Sequence, residues 1–197
     1  MKYLFTIIFS LTYLFLFAQQ QKPLALDKAP AYVQKAIQSG RECIANGMMD
    51  CSNLYKEAIK KSQKENLECT GTLYGHLLNY FYQTGQDDSI FVYKDNAINI
   101  SLAQKENYNL SATYNLVAAA FMSGSNTDSA LFYFQKARDY IQLIENQQLL
   151  GENYMNTAGV YSDIKDYDKA KTNYLKAYEI LKNETSDDLT LAVIYNL

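Results

Sequence analysis

The sequence predicts an all-α chain: a solenoid of about four helix pairs and the start of a fifth, within residues 30–197. Three observations carry this. Ile90, Ala130 and Ala170 recur every 40 residues, and so do Ala97, Ala137 and Ala177. Upstream of each, Phe81, Phe121 and Tyr161 keep the same period, as do Tyr74, Tyr114 and Tyr154. Each period holds two stripes of helical spacing, and no proline follows Pro30 to break them. A fixed period of this length is the mark of a repeat architecture, in which each unit covers the apolar face of its neighbour.

The elements follow in order. Residues 1–18 read as a secretory signal: Lys2, an apolar run over residues 4–17, then Ala18 before Gln19-Gln20-Gln21. That run is shorter than the roughly 20 apolar residues that span a bilayer. The chain is therefore expected to be exported, to a periplasm, with cleavage after Ala18. A membrane anchor through residues 4–17 is the alternative if the segment stays on. Residues 19–29 form a linker.

Units then cover about 31–70, 71–110, 111–150 and 151–190, with a partial unit at 191–197. The first is the weakest copy, in which Cys51, Tyr55 and Ala58 hold the small, aromatic, small pattern. In the third, Tyr114, Val117, Ala118 and Phe121 make one stripe and Ala130, Phe134, Ala137 and Ile141 the other, parted by the turn cluster of residues 123–128. The alanines let helices approach closely while aromatic neighbours fill the adjoining space. Asp128 and Asp168 are expected to cap the second helices of their units. The last helix starts near Asp188 and reaches Asn196-Leu197, which suggests a fragment of a longer protein or an edge that meets a partner.

Composition excludes some functions. Lys and Arg total 18 against 21 Asp and Glu, so no nucleic-acid footprint is visible. Cys43, Cys51 and Cys69 include no CxxC pair, and His76 has no thiol at metal-site spacing, so no metal or cofactor is expected. In an oxidising compartment Cys43 and Cys51 can pair across the first helix turn; the alternative is three buried thiols. No catalytic constellation is present. His76 reads as a core or boundary residue, and Asp87-Asp88 and Asp187-Asp188 read as helix caps. Lys56, Lys60, Lys61 and Lys64 form a basic stripe that reads as a solvated face.

Residues 151–182 resemble a tetratricopeptide repeat through Tyr154, Ala158, Tyr161, Asp166-Tyr167, Ala170, Tyr174 and Ala177. Residues 111–140 fit through Tyr114, Ala118, Phe121, Ala130, Phe134 and Ala137. Residues 71–100 fit more loosely, with Ile90 for a small residue and Lys94 for an aromatic one. The period of 40 exceeds the family's usual 34, which implies longer helices.

The resemblance implies a right-handed superhelix with a concave groove lined by first helices. Its groove places fall on Thr72, Gly75, Asn79, Tyr82 and Gln83, then Ala112, Asn115, Ala119, Met122 and Ser123. They continue with Glu152, Met155, Gly159, Ser162 and Asp163, and then Ala192 and Tyr195. Asn79, Tyr82, Gln83, Asn115, Met122, Ser123, Glu152, Met155, Ser162, Asp163 and Tyr195 are the candidate binding residues.

The set contains acids but no Lys or Arg, so the carboxylate clamp of the family's chaperone-tail binders is absent. An extended peptide or a partner helix is the expected ligand. The resemblance to exported arrays of this period implies the sensory part of a bacterial signalling protein, here without its output domain. The alternative is a stand-alone periplasmic scaffold for envelope assembly.

Overall fold

The computed structural model describes residues 28–47 and 51–182. The proposed signal segment, most of the linker and the partial fifth unit with Ala192 and Tyr195 lie outside the described residues. Eight α-helices form four hairpins. The first helices are α1 (Ala31–Ala45), α3 (Thr70–Gln83), α5 (Asn107–Ser123) and α7 (Gln147–Asp163). The second helices are α2 (Ser52–Lys64), α4 (Asp87–Ala103), α6 (Thr127–Leu143) and α8 (Tyr167–Leu181). The chain is thus an all-α solenoid of helix hairpins.

The 40-residue period appears as repeated helix starts: α4, α6 and α8 begin at Asp87, Thr127 and Tyr167, and α5 and α7 at Asn107 and Gln147. The four helices from α4 to α7 are each 17 residues long. Among the described residues, every helix-to-helix connection contains one residue of positive φ: Gly47, Asn66, Gly85, Lys105, Ser125, Glu145 and Lys165. After Asn66, Gly85, Lys105, Ser125 and Lys165 the next amide reaches back over the last helical turn. Gln86 N–H meets Phe81 O at 2.8 Å, and Asn126 N–H meets Phe121 O at 2.9 Å. This is the left-handed helix stop that glycine adopts most cheaply, used here with five residues that are not glycine.

The helix caps differ from the expected ones. Asp128 and Asp168 sit in the first turns of α6 and α8. The side chains that accept the free N–H groups are Asn126 (from Ser129, 3.2 Å) and Asp166 (from Lys169, 3.2 Å), with Asn146 doing the same for Leu149 at 2.9 Å. A cap must stand before the helix, in extended or bridge geometry, so its oxygen can turn back over the first turn. Asp87 likewise lies inside α4, whose N-cap is Gln86 and has no side-chain cap bond.

The small residues are at the closest approaches. Ile90, Ala97, Ala118, Ala130, Ala137, Ala158, Ala170 and Ala177 are fully buried. In the first hairpin Gly40 serves the same end, since a Cβ there would overlap the Tyr55 ring. Cys43 and Cys51 form a disulfide that closes this hairpin, with Cα atoms 6.4 Å apart. Cys69 is a free, half-buried thiol whose pKa is pushed up by burial.

Successive first helices touch: α1 packs on α3, α3 on α5, and α5 on α7. Contacts between successive second helices are sparser than any of these. The first helices therefore form the more closely spaced of the two layers, and we take them as the inner one, the side a solenoid turns to its groove.

Candidate functional site

The first helix α1 carries Lys35 and Arg41; the candidate residues lie on the other first helices, α3, α5 and α7. None of their residues is Lys or Arg. Their adjoining flanks are polar, and these groups satisfy one another. Asn109 Nδ2 donates to Thr72 Oγ1 at 3.1 Å, joining α5 to α3. Asn153 Nδ2 donates to Asn115 Oδ1 and to Phe134 O, both at 2.9 Å. Arg138 reaches in from α6, its Nε donating to Asn153 Oδ1 and its second guanidinium nitrogen to Thr157 Oγ1, both at 2.9 Å. The same guanidinium lies 4.1 Å over the Tyr154 ring.

This packing divides the candidate binding residues. Asn115 and Met155 are buried, at 5% and 8% exposure. Asn115 is an interhelical hydrogen-bond acceptor, and Met155 packs with Ala177 and Leu181; neither presents its side chain to the groove. Thr72 and Gly75 are buried as well. Thr72 and Asn115 are closed in at the seams between first helices, where they bond Asn109 and Asn153, and Met155 is closed in by the packing of α7 on α8.

Asn79, Tyr82, Gln83, Met122, Glu152 and Ser162 are half-buried, and Ser123 and Asp163 are exposed. The Asn79 carbonyl oxygen is buried and has no hydrogen-bond partner.

Two groups of the remaining candidates are brought together. Tyr82 and Ser123 meet beside Asp87 at the start of α4. Burial raises the Asp87 carboxyl, the Ser123 hydroxyl partly offsets that, and Asp88 adds to it. Ser162 and Asp163 stand beside Tyr174. Glu152 is apart from both. It accepts from Gln148 Nε2 at 3.1 Å, and the Tyr108 hydroxyl of α5 stands close by. Burial pushes the Glu152 carboxyl up to about 7, and the Gln148 amide offsets part of this.

Tyr108, Gln148, Asn153 and Arg138 were not legible as site residues. Their repeat places carry no chemistry, and only side-chain pairing across helices gives them one.

His76 is buried in the first hairpin's core, with its ring parallel to that of Tyr55 at 6.2 Å. Burial, with Arg41 nearby, lowers its pKa to about 3, so it is a neutral packing group. No group of three or more His, Cys, Asp or Glu that could hold a metal occurs among the described residues. There, too, no helix is long and apolar enough to cross a membrane. The basic stripe of α2 is partly absorbed by rings: Lys56 lies over Phe81 and Tyr93, and Lys61 lies 4.0 Å over Tyr32.

No protein-family model matches the chain, and no curated protein does. Solved structures do match. One is the crystal structure of BtubC (BKLC) from P. vanneervenii, at 16% identity and a TM-score of 0.65. The match covers 86% of this chain and 82% of that one. At this identity the likeness shows a shared helical fold. A helical-repeat fold of this kind suggests a protein-interaction module.

Proposed function

We propose that the chain is an exported tetratricopeptide-like module whose inner surface holds a protein or peptide ligand. It would form the sensory, binding part of a bacterial signalling protein and carry no catalytic activity. The observation that supports this most is the inner layer. Three first helices present half-buried amide, phenol, thioether and carboxyl groups, with Asn109–Thr72 and Asn153–Asn115 hydrogen bonds joining one helix to the next. Groups left over at such a surface are suited to an extended backbone or a partner helix. The disulfide between Cys43 and Cys51 supports an oxidising compartment, and so export.

A peptide-display selection against the chain tests the binding reading. The ligands recovered should be displaced by Met122→Lys on the inner surface and not by Val92→Lys, since Val92 is 69% exposed on a second helix. Equal displacement by both, or by neither, would remove the groove from consideration. Mass spectrometry of the mature amino terminus tests export; a chain that keeps Met1 to Ala18 in the envelope fraction favours the anchored form.

A stand-alone envelope scaffold is the second reading. The outer face supports it, because Val92 and Phe132 occupy one repeat place and stand 69% and 56% exposed. Such a face lets a scaffold hold a second partner.

A further inference from the structure

We propose that the inner surface selects a basic, extended polypeptide segment, anchored by Glu152 and Asp163 on α7. This rests on the groove reading above and adds the charge and spacing of its ligand.

The first ground is a separation of charge across the molecule. The helices α3, α5 and α7 carry no cationic side chain. Among the described residues, the cations near the array's second half sit on second helices or in turns, several of them over aromatic rings. Lys136 lies over Phe132, and Lys176 over Tyr154. Lys169 pairs with Asp166 at 2.7 Å. Arg138 reaches the inner layer and is consumed there by Asn153 and Thr157, while Lys176 and Lys169 reach α7 over the rings of Tyr154 and Tyr161. The acids Glu152 and Asp163 face no counter-ion among the described residues. A surface whose own helices bear carboxylates and no Lys or Arg steers and selects a positive ligand.

The second ground is spacing. Glu152 and Asp163 are 11 positions apart (163 − 152) on one helix. At ~100° per residue they return to within about 20° of one face, roughly 16 Å apart along the axis. An extended chain at about 3.3 Å per residue covers that distance in roughly five residues. Side chains alternate along an extended chain, so the same-face pair that fits both is Arg or Lys at i and i+4, whose long side chains splay to cover the remaining distance of about 3 Å.

The third ground is the Glu152 environment. Its carboxyl is half-buried, with Gln148 donating to Oε1 and no hydrogen bond to Oε2 among the described residues. Tyr108 from α5 is the titratable group set against it. Without a cation, burial favours the neutral acid. A guanidinium arriving between Oε2 and the Tyr108 ring would restore the carboxylate, gain a charge-assisted hydrogen bond and stack on the ring. The Glu152 proton would pass to solvent as the cation binds.

Titration calorimetry at low salt with three synthetic peptides on one Gly/Ser/Ala scaffold tests this. They carry Arg, Gln or Glu at i and i+4, on one face of the extended chain. The Arg peptide should bind about tenfold or more tighter than the Gln peptide. Its affinity should rise from pH 6 to pH 8, with proton release visible as a dependence of the heat on buffer. Glu152→Gln should abolish both the preference and the proton release while circular dichroism stays unchanged. Asp139→Asn, an exposed acid on α6, should change neither.

Equal binding of the Arg and Gln peptides would overturn the charge selection and leave the groove reading intact, as would a preference for Glu. An unaltered preference in Glu152→Gln would overturn the anchor. Binding of none of the three overturns this inference; ligands recovered by display and displaced by Met122→Lys would show that the groove reading survives that failure.

Discussion

Two polar junctions of the solenoid, one between the second and third hairpins and one between the third and fourth, show opposite solutions to the same problem. At the later junction Asn153 is fully buried, yet its amide is satisfied by Asn115, Phe134 O and Arg138. At the earlier one Glu106 is 9% exposed, and neither carboxylate oxygen has a hydrogen-bond partner. The nearby Asn109 amide is engaged with Thr72, so it offsets only part of the burial that raises the Glu106 pKa, and Glu68 raises it further. The hydroxyl of Ser101, at 0% exposure, is also unmet.

The origin of the difference lies in one repeat place. Where the third and fourth hairpins have Ile141 and Leu181, both nearly fully buried, the second has Ser101. The missing side-chain volume is taken by the Glu106 carboxylate. Gly71 makes the room, for a Cβ there would collide with Glu106 Oε2 and stand 2.8 Å from Ser101 Oγ. A buried polar group costs little when paired and much when orphaned. The two junctions should therefore respond in opposite senses to losing their polar groups.

The largest effect is expected at the satisfied junction. Asn153→Ala would strand Arg138 and Asn115 and cost about 2–4 kcal/mol. Urea unfolding followed by hydrogen exchange on α5 to α7 measures it, since repeat arrays need not unfold as one unit. A loss below about 0.5 kcal/mol would mean that the network adds nothing to this junction.

Reduction of the Cys43–Cys51 disulfide, which spans a sequence separation of 8, should cost about 2–3 kcal/mol. Exchange should quicken in α1 and α2 and leave both junctions unchanged. Quickening at the junctions would show that they borrow their order from the first hairpin.

Gly71→Ala should cost about 1–3 kcal/mol through collision with Glu106. Glu106→Ala in the same chain should recover part of that loss. It should not help Gly151→Ala, whose new Cβ meets Leu181 instead. Thermal unfolding of the double variants decides between the two outcomes.

The smallest effect is the most diagnostic. Glu106→Gln should stabilise by about 1 kcal/mol at pH 8 and by almost nothing at pH 4. The sign follows from the direction of the shift. The folded-state pKa of Glu106 is raised above its ordinary value of 4.5. Its favourable contribution is full below 4.5 and is lost as pH rises through the raised folded value. The variant minus wild-type difference in urea midpoint should grow over that window. A flat difference would show that the carboxylate finds a partner in solution.

Much of this architecture was legible in the residues. The alanine and aromatic places fix helix spacing through steric fit alone, so Ala97, Ala137 and Ala177 could be read directly. Small residues have one reason to recur at a fixed period, which is close packing. The caps Asn126 and Asp166 stand two positions before Asp128 and Asp168, where the residue pattern puts them, because Asp and Asn favour both the cap and the first turn. The candidate site was legible as a set of helices without Lys or Arg but not as a geometry. Asn115 and Met155 occupy groove places in the pattern, but Asn115 is buried at the seam with α7 and Met155 against α8.

The sequence by itself determined the period, the helix pairs and the absence of Lys and Arg from α3, α5 and α7, since each depends on residue type and spacing along one chain. Only the tertiary structure decided which polar groups turn inward. The partners Asn115 and Asn153 are 38 positions apart. Whether two such amides meet depends on the offset and rotation between helices. Apolar packing sets those, and a polar residue's identity carries no information about them.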